Sequence, residues 1–384
     1  MNRYKKHFFS TVAAIIGIAI LIAPSISLSA EFDSNYTVWN VVGLRAAYEA
    51  SQITGTGMNS GIKAITLTNA GYAEINGSST EGCLDGLQEL TNASRGNNRL
   101  IEVHSHYDDP LWFAIHYPST GMCVYFQLNP AAVPKLFVNI DSKSYYQVIM
   151  DNLAVETSEL FSIVSSENIN PDNLYANAAV YSDKFDKQLV FGNNAFRVVT
   201  IANAAAKGVP KSLLRSIEFH DHYCPGVTSG ILAVNYIKTY FPLTSGGAYF
   251  VHSVQPWCKE DAFMTLLNAT PGKSGYSVLY STADDRAAWK EEVKNAATII
   301  YRQDGTTKKW DGIVISITLP NTGCPDYISA TITKLCSDLW YLERLDQPES
   351  FVKVLHTFEL PEGFAPKDWA RPGVDPMQKL GLTK

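Results

Sequence analysis

The sequence predicts an α+β fold made of two tandem modules, each a mixed β-sheet flanked by helices. Three observations carry that prediction. The chain has 384 residues, enough for two domains of ordinary size. Residues 85–100 (DGLQELTNASRGNNRL) are echoed by residues 261–276 (DAFMTLLNATPGKSGY). Helical and strand-like periods alternate around both segments, as they do when helices pack on a sheet.

The first thirty residues are set aside as a leader. Arg3, Lys5 and Lys6 form a positive start, Val12–Ala23 an apolar run, and Ser27, Ser29 and Ala30 offer small residues for cleavage. The run is short for a membrane span, which needs about 20 residues. An uncleaved N-terminal anchor is the alternative. Cleavage removes three cations and no anion, moving the formal charge from −6 to −9. The sequence therefore predicts an extracytoplasmic protein, periplasmic or secreted, with no membrane span after leader removal.

Residues 31–195 are assigned to the first module and 196–384 to the second. GLRAAYEA (43–50) and GILAVNYI (230–237) both read as helical. In the second module the patterns predict a helix over 228–240, a strand over 247–254 and a helix over 259–269. Strands follow over 276–281 and 312–319, then a helix over 326–345. MCVYFQLNP (122–130) in the first module resembles GIVISITLP (312–320) in the second. The echo itself pairs Asp85 with Asp261, Asn92 with Asn268, Ala93 with Ala269 and Gly96 with Gly272.

Composition narrows the function. Hydrophobic residues make up 46% and aromatic ones 11%, which excludes a disordered chain. With 31 Lys and Arg against 37 Asp and Glu, no basic excess exists to neutralise phosphates, so nucleic acid is not an expected partner. No Walker A loop, nucleophile elbow or H-E-x-x-H helix is present.

The densest set of potential metal ligands is Glu218-Phe219-His220-Asp221-His222-Tyr223-Cys224-Pro225-Gly226. Imidazole nitrogen and thiolate sulfur are donors that zinc and similar divalent metals prefer. Positions 220, 222 and 224 share one side of an extended segment. Pro225-Gly226 then launches a helix whose dipole favours a thiolate nearby. His252 and Cys258 follow, completing a set of three or four ligands. The competing reading is a Cys224–Cys258 disulfide beside a His-x-His of no consequence.

The segment FHDHYCPGVTSG (219–230), with C-x-x-D-A at Cys258–Ala262 and T-x-G-K at Thr270–Lys273, resembles the formylmethanofuran dehydrogenase FmdE family. That resemblance covers about residues 205–345, and through the echo a divergent copy over about 36–190. It implies modules of thioredoxin-like appearance, often paired as dimers, with a metal in a cleft. It also implies metal-site residues His220, His222, Cys224 and Cys258, with Asp261, Thr270 and Lys273 as cleft positions. The family has Gly between the histidines where this chain has Asp221. Asp tolerates a positive φ better than most residues, and its carboxylate would stand beside the metal as an imidazole partner or an extra ligand.

The first module lacks His-x-His-x-Cys before its Gly43 helix, reading Tyr36-Thr37-Val38-Trp39-Asn40 instead. The constant offset of the echo makes Asn76 the counterpart of His252 and Gly82 that of Cys258. This module is expected to have kept the fold, lost the site, and capped the second module's cleft as a dimer mate would. His104, His106, His116 and Cys123 leave room for an unrelated second site. A Cys324–Cys336 bridge meets an objection, because twelve residues of helix span about 18 Å unless the chain folds back.

The leading expectation is thus an extracytoplasmic metal-binding protein holding a divalent metal, zinc first among the candidates. Its second module would offer a small-molecule ligand a cleft formed by Asp221, His252, Asp261, Thr270 and Lys273. Two alternatives stand beside it: a metal-dependent enzyme using metal-activated water, and a thiol redox protein using Cys224 and Cys258.

Overall fold

Two sheets of identical strand order organise the chain. The computed structural model describes residues 33–56 and 63–384, so the expected leader lies outside the described residues. The first module runs α1 (Ser34–Thr54), β1 (Ile65–Thr68), α2 (Gly82–Thr91), β2 (Leu100–Glu102), β3 (Trp112–Tyr117), β4 (Met122–Leu128) and β5 (Phe161–Asn168). Helices α3 (Ala195–Ala206) and α4 (Lys211–Phe219) connect it to the second. That module runs α5 (Pro225–Tyr240), β6 (Ala248–Ser253), α6 (Lys259–Leu266), β7 (Tyr276–Val278), β8 (Thr298–Gln303), β9 (Trp310–Ile317), α7 (Ala330–Leu342) and β10 (Val352–Glu359).

The sheets are ordered β2-β1-β3-β4-β5 and β7-β6-β8-β9-β10. In each, one pair is parallel (β1 with β2, β6 with β7) and every other pair antiparallel. A parallel pair cannot be joined by a tight turn, so each chain crosses over through a helix, α2 or α6. The expected α+β class with two sheet-containing modules is therefore what the chain adopts.

The same helix crossing recurs in both modules, set by a glycine. A Cβ on Gly43 of α1 would lie 2.2 Å from the Cys83 carbonyl oxygen, and one on Gly230 of α5 would lie 2.4 Å from that of Lys259. Each helix thus touches the backbone at the start of the next, an approach no side chain permits. At the far end of α2 and α6, Asn92 and Asn268 both take positive φ, 53° and 57°. Asparagine is among the few non-glycine residues suited to that conformation.

One difference breaks the constant offset. A small hairpin pairing Glu74–Ile75 with Ser78–Ser79 stands between β1 and α2, and the second module has only a short loop there. Asn76 lies in the hairpin turn with φ 54°. It is not the counterpart of His252; the strand equivalent to β6 is β1.

The two sheets share a core. Helices α1 and α2 cover one face of the first sheet, against Phe113, Ile115, Val124 and Phe126. Its other face, with Leu67, Trp112, Ala114 and Tyr125, packs against α3 and belongs to one hydrophobic core with α4, α5 and the inner face of the second sheet at Val251, Ile300 and Ile315. The outer face of the second sheet packs Phe250, Ile299, Tyr301 and Val314 against the C-terminal residues Trp369, Met377 and Leu382. Helices of the second module are therefore buried between both sheets.

The Cys324–Cys336 bridge forms, with Cα atoms 6.0 Å apart. The helical objection fails because α7 begins only at Ala330, and the irregular segment before it folds back onto the helix.

Candidate metal centre

Three donors converge in the loop between α4 and α5. His220 caps the end of α4 and Cys224 immediately precedes Pro225, the first residue of α5. Proline suits that first turn because its missing N–H has no partner there in any helix. Between the two, Asp221 takes φ 65°, the left-handed conformation that turns the chain back on itself. The position where the family has glycine thus needs its conformation, and Asp supplies it. Ligand atoms of His220, His222 and Cys224 all lie within 4.8 Å of one another.

Both imidazoles are held from behind by carboxylates. His220 donates its Nδ1–H to Asp261 Oδ2 at 2.6 Å, and His222 donates Nδ1–H to Asp221 Oδ1 at 2.5 Å. Carboxylates only accept, so the arrangement fixes the tautomer and leaves each Nε2 lone pair free, as metal-binding histidines require. His220 Nε2 lies 3.8 Å from Cys224 Sγ. The rings sit 4.4 Å apart between centroids, and Phe196 packs on His222 at 4.9 Å.

Asp221 is further anchored by Arg197 of α3, whose Nε and Nη2 donate to Oδ2 at 3.0 and 2.7 Å. Burial acts to raise the Asp221 carboxyl. The hydrogen bonds and charges of His222 and Arg197 outweigh it and hold the group below its usual range. Burial pushes the Cys224 thiol up to about 12, against the N–H groups of Val227 and Gly226, which favour the thiolate. A bound cation reverses that preference, since a coordinating thiol is deprotonated.

Cys258 is a neighbour of this set and lies outside it. A Cβ on Gly226 would be 2.7 Å from Cys258 Cβ and 2.9 Å from its Sγ, so Cys258 occupies the space glycine leaves at the first turn of α5. Cys224 and Cys258 are both free thiols; the expected alternative of a bridge between them is not realised.

Three of the expected cleft residues lie elsewhere. His252 alternates with Val251 on β6 and shares the outer face with Phe250, its ring 6.4 Å away, and with Ile299, its register partner. Helix α5 packs on the opposite face, so the strand geometry points His252 away from the loop. Its Nδ1 is buried without a partner, and burial lowers its pKa to about 4. Thr270 and Lys273 belong to the turn after the C-terminal end of α6, whereas the donor loop meets the N-terminal end of that helix. Lys273 is exposed and gives its ammonium to Asn268 Oδ1. Asp221 and Asp261 are the two cleft candidates that the fold does bring to the cluster.

Among the described residues, the only group of three or more metal-type donors this close together is the second module's. Counting back from Gly43 as from Gly230 puts Asp33, Asn35 and Thr37 opposite His220, His222 and Cys224. There α1 has already begun at Ser34, and helical rotation scatters what a loop gathers. The remaining contacts are exchanged as well. Gly82 makes room for Trp39, against which its Cβ would lie 3.1 Å away, where the second module sets Gly226 against Cys258. Asp85 accepts from Tyr36 Oη at 2.8 Å, where Asp261 accepts from His220. His116 and Cys123 are core residues; burial lowers the pKa of His116 to about 4 and pushes the Cys123 thiol up.

His104 faces the second module. Its backbone N–H donates to the Glu218 carbonyl at 3.0 Å, and its ring stacks on Phe219 at 5.4 Å. Glu218 itself is buried, with its Oε2 held by Arg215 at 2.5 Å and by Arg95 of the first module at 3.5 Å, while its Oε1 has no hydrogen-bond partner. His106 is exposed and pairs with Asp108. Beside this contact lies a cavity of about 330 Å³ at the seam, bordered by His104, Trp112, Gln127, Asn194 and Arg197.

Sequence reasoning missed Arg197 and the buried Lys259–Glu260 pair. Lys259 also donates to the Gln255 carbonyl, and Glu260 accepts from Ser253 at 2.6 Å and from Tyr276. This network ties the N-terminus of α6, and with it Asp261, to β6 and β7. The spacing C-x-x-D-A signalled Asp261; nothing local signalled Arg197, which lies 24 residues before Asp221.

Residues 219–325 match the family described as FmdE, molybdenum formylmethanofuran dehydrogenase operon. The match covers the donor loop and the second sheet through β9 and does not extend to the first module. No curated protein matches the chain.

Proposed function

We propose that this is an extracytoplasmic metal-binding protein. In this reading the second module holds one divalent ion, zinc first among the candidates, and offers it to a small ligand at a cleft capped by the first module. One observation carries the proposal: the Nδ1 atoms of His220 and His222 are each satisfied by a carboxylate. Their Nε2 atoms are thereby left free: that of His220 lies 3.8 Å from Cys224 Sγ, and a ring nitrogen of His222 lies within 4.8 Å of the donor atoms of both. Two imidazoles and one thiol suit zinc better than the hard cations calcium or magnesium.

His220 and His222 would hold the ion with Cys224, Asp261 and Asp221 would orient the rings, and Cys258 would border the site. A divalent ion with three protein ligands and an open position polarises a ligand oxygen or acidifies a bound water. The side chains of His220 and His222 are 12% and 23% exposed, so the loop is reachable from solvent. The enzyme reading shares this geometry. The thiol redox reading is weaker, since burial disfavours the Cys224 thiolate in the absence of a cation.

The Cys324–Cys336 bridge supports an oxidising compartment, in agreement with the leader-like first thirty residues. Equal strand order and the matching Gly43 and Gly230 crossings support an origin by tandem duplication. The core shared between the sheets supports an intramolecular pseudo-dimer.

The test is elemental analysis of the protein purified without chelators or a polyhistidine tag, with a free-thiol count. The proposal expects about one zinc or similar ion per chain and four free thiols. Absence of metal at micromolar zinc would overturn it.

A further inference from the structure

The metal site belongs to the second module, yet the hydrogen bonds behind it do not stop there. From His222 Nδ1 they pass to Asp221, and Asp221 Oδ2 accepts from Arg197 Nε and Nη2. Arg197 Nη1 donates to Asn194 Oδ1 at 3.2 Å, and Asn194 Nδ2 donates to Tyr125 Oη at 3.0 Å. Tyr125 in turn donates to Gln127 Oε1 at 3.3 Å. Tyr125 and Gln127 belong to β4, the fourth strand of the first sheet. Every donor in this chain faces an acceptor, so its directions are mutually consistent.

The chain passes through a close approach that only glycine allows. Gly192 has φ 54°, and a Cβ on it would lie 2.8 Å from Gln127 Oε1 and 3.3 Å from Tyr125 Oη. The Tyr125 ring is fully buried and packs on Trp112 and Phe191, 6.1 and 5.4 Å away. Its hydroxyl is therefore a fixed anchor.

We infer that Arg197 is a positioning residue of the metal centre, and that the first module acts on the metal by holding Arg197 through Tyr125 and Asn194. The inference rests on the proposed metal site. The guanidinium occupies one carboxylate oxygen of Asp221, so the other can only serve His222. Without it, Asp221 is free to rotate and His222 loses its fixed tautomer. Partners that hydrogen-bond behind a metal ligand change metal affinity by about 10–100-fold.

The experiment titrates full-length protein with zinc against a chromophoric chelator, and with cobalt followed by its visible spectrum. Arg197→Gln is expected to weaken zinc binding by about 10–100-fold, in the range known for such partners, and to shift the cobalt ligand-field bands. Arg197→Lys should recover part of the affinity. Tyr125→Phe, which keeps the buried ring, should weaken binding several-fold, and its effect should shrink when Arg197 is already Gln. Circular dichroism and a thermal melt confirm that each variant folds.

Wild-type protein that binds no metal, or His220→Ala that binds normally, would sink the metal site itself. A wild type that binds while Arg197→Gln stays within about twofold, or binds tighter, would overturn this inference alone. Tighter binding would mean that released Asp221 had become a ligand. Loss in Arg197→Gln with no effect of Tyr125→Phe would refute the role of the first module.

Discussion

Replacing Asp261 by Ala isolates the claim that carboxylates orient the ligand imidazoles. Asp261 Oδ2 accepts from His220 Nδ1 at 2.6 Å, and the Asp261 side chain is 28% exposed. Its loss therefore leaves a ring that water can partly satisfy, and folding should survive. What is lost is the fixed tautomer and orientation of one ligand out of three. Such a partner is worth about 10–100-fold in metal affinity, or about 1.4–2.7 kcal/mol. Asp261→Asn should lose less, because the amide oxygen still accepts from Nδ1–H. The assay is zinc competition against a chromophoric chelator, with His220→Ala as the reference for a removed ligand. Unchanged affinity in Asp261→Ala would refute the orienting role. Loss as complete as in His220→Ala would make Asp261 a ligand instead.

Further predictions concern the scaffold. Gly230→Ala should destabilise by about 1–3 kcal/mol despite the better helix propensity of alanine, because its Cβ would meet Lys259 O at 2.4 Å; a raised melting temperature would contradict the crossing. Asp338 is fully buried with both carboxylate oxygens unpartnered, and burial raises its pKa well above the usual range. The folded state therefore prefers the protonated form. The resulting stability is present below the unfolded pKa of about 4 and is lost as pH rises toward the folded value. Asp338→Asn should then gain on wild type as pH rises, and parallel urea midpoints at pH 4.5 and 7.5, taken as roughly the span of the effect, would refute this. Burial lowers His116 and His252 to about 4, so unfolding takes up protons as pH falls from about 6.5 toward that value. Stability should decline across this window; NMR titration showing either ring protonated near pH 6, close to the ordinary value of about 6.5, would contradict it. Cys324→Ser should cost about 2–3 kcal/mol, as expected for a loop of this length, with little change in zinc affinity.

What the sequence disclosed follows the range of each interaction. Periodicity is local, and it located α5, α6, β6 and β9 to within a few residues. The echo revealed that Asp85 and Asp261 are equivalent, and both accept a bond from the segment before the glycine crossing. Its constant offset failed at Asn76 because a hairpin stands there that the second module lacks, which matching residues further along could not reveal. The helix placed over 326–345 began four residues later, at Ala330, and that shift is what allowed the Cys324–Cys336 bridge.

At the site, the donors His220, His222 and Cys224 were legible because they lie within one loop. His252 was misplaced, since strand alternation does not say which face of a sheet carries the helices. Thr270 and Lys273 were misplaced because a helix intervenes between them and the cluster. Arg197 and Tyr125 were invisible, as their bonds depend on how α3 and the first sheet pack together. Tertiary contacts of that kind leave no local pattern.

The central claim, that two imidazoles and one thiolate of the 220–224 loop hold the metal, is most directly tested by X-ray absorption at the zinc edge of metal-loaded protein. The expected spectrum shows two imidazoles and one sulfur around the zinc, and this pattern is lost in Cys224→Ser together with His220→Ala. A shell without imidazole scattering would contradict it by placing the metal elsewhere. A second sulfur would bring Cys258 into the shell and break the three-donor assignment.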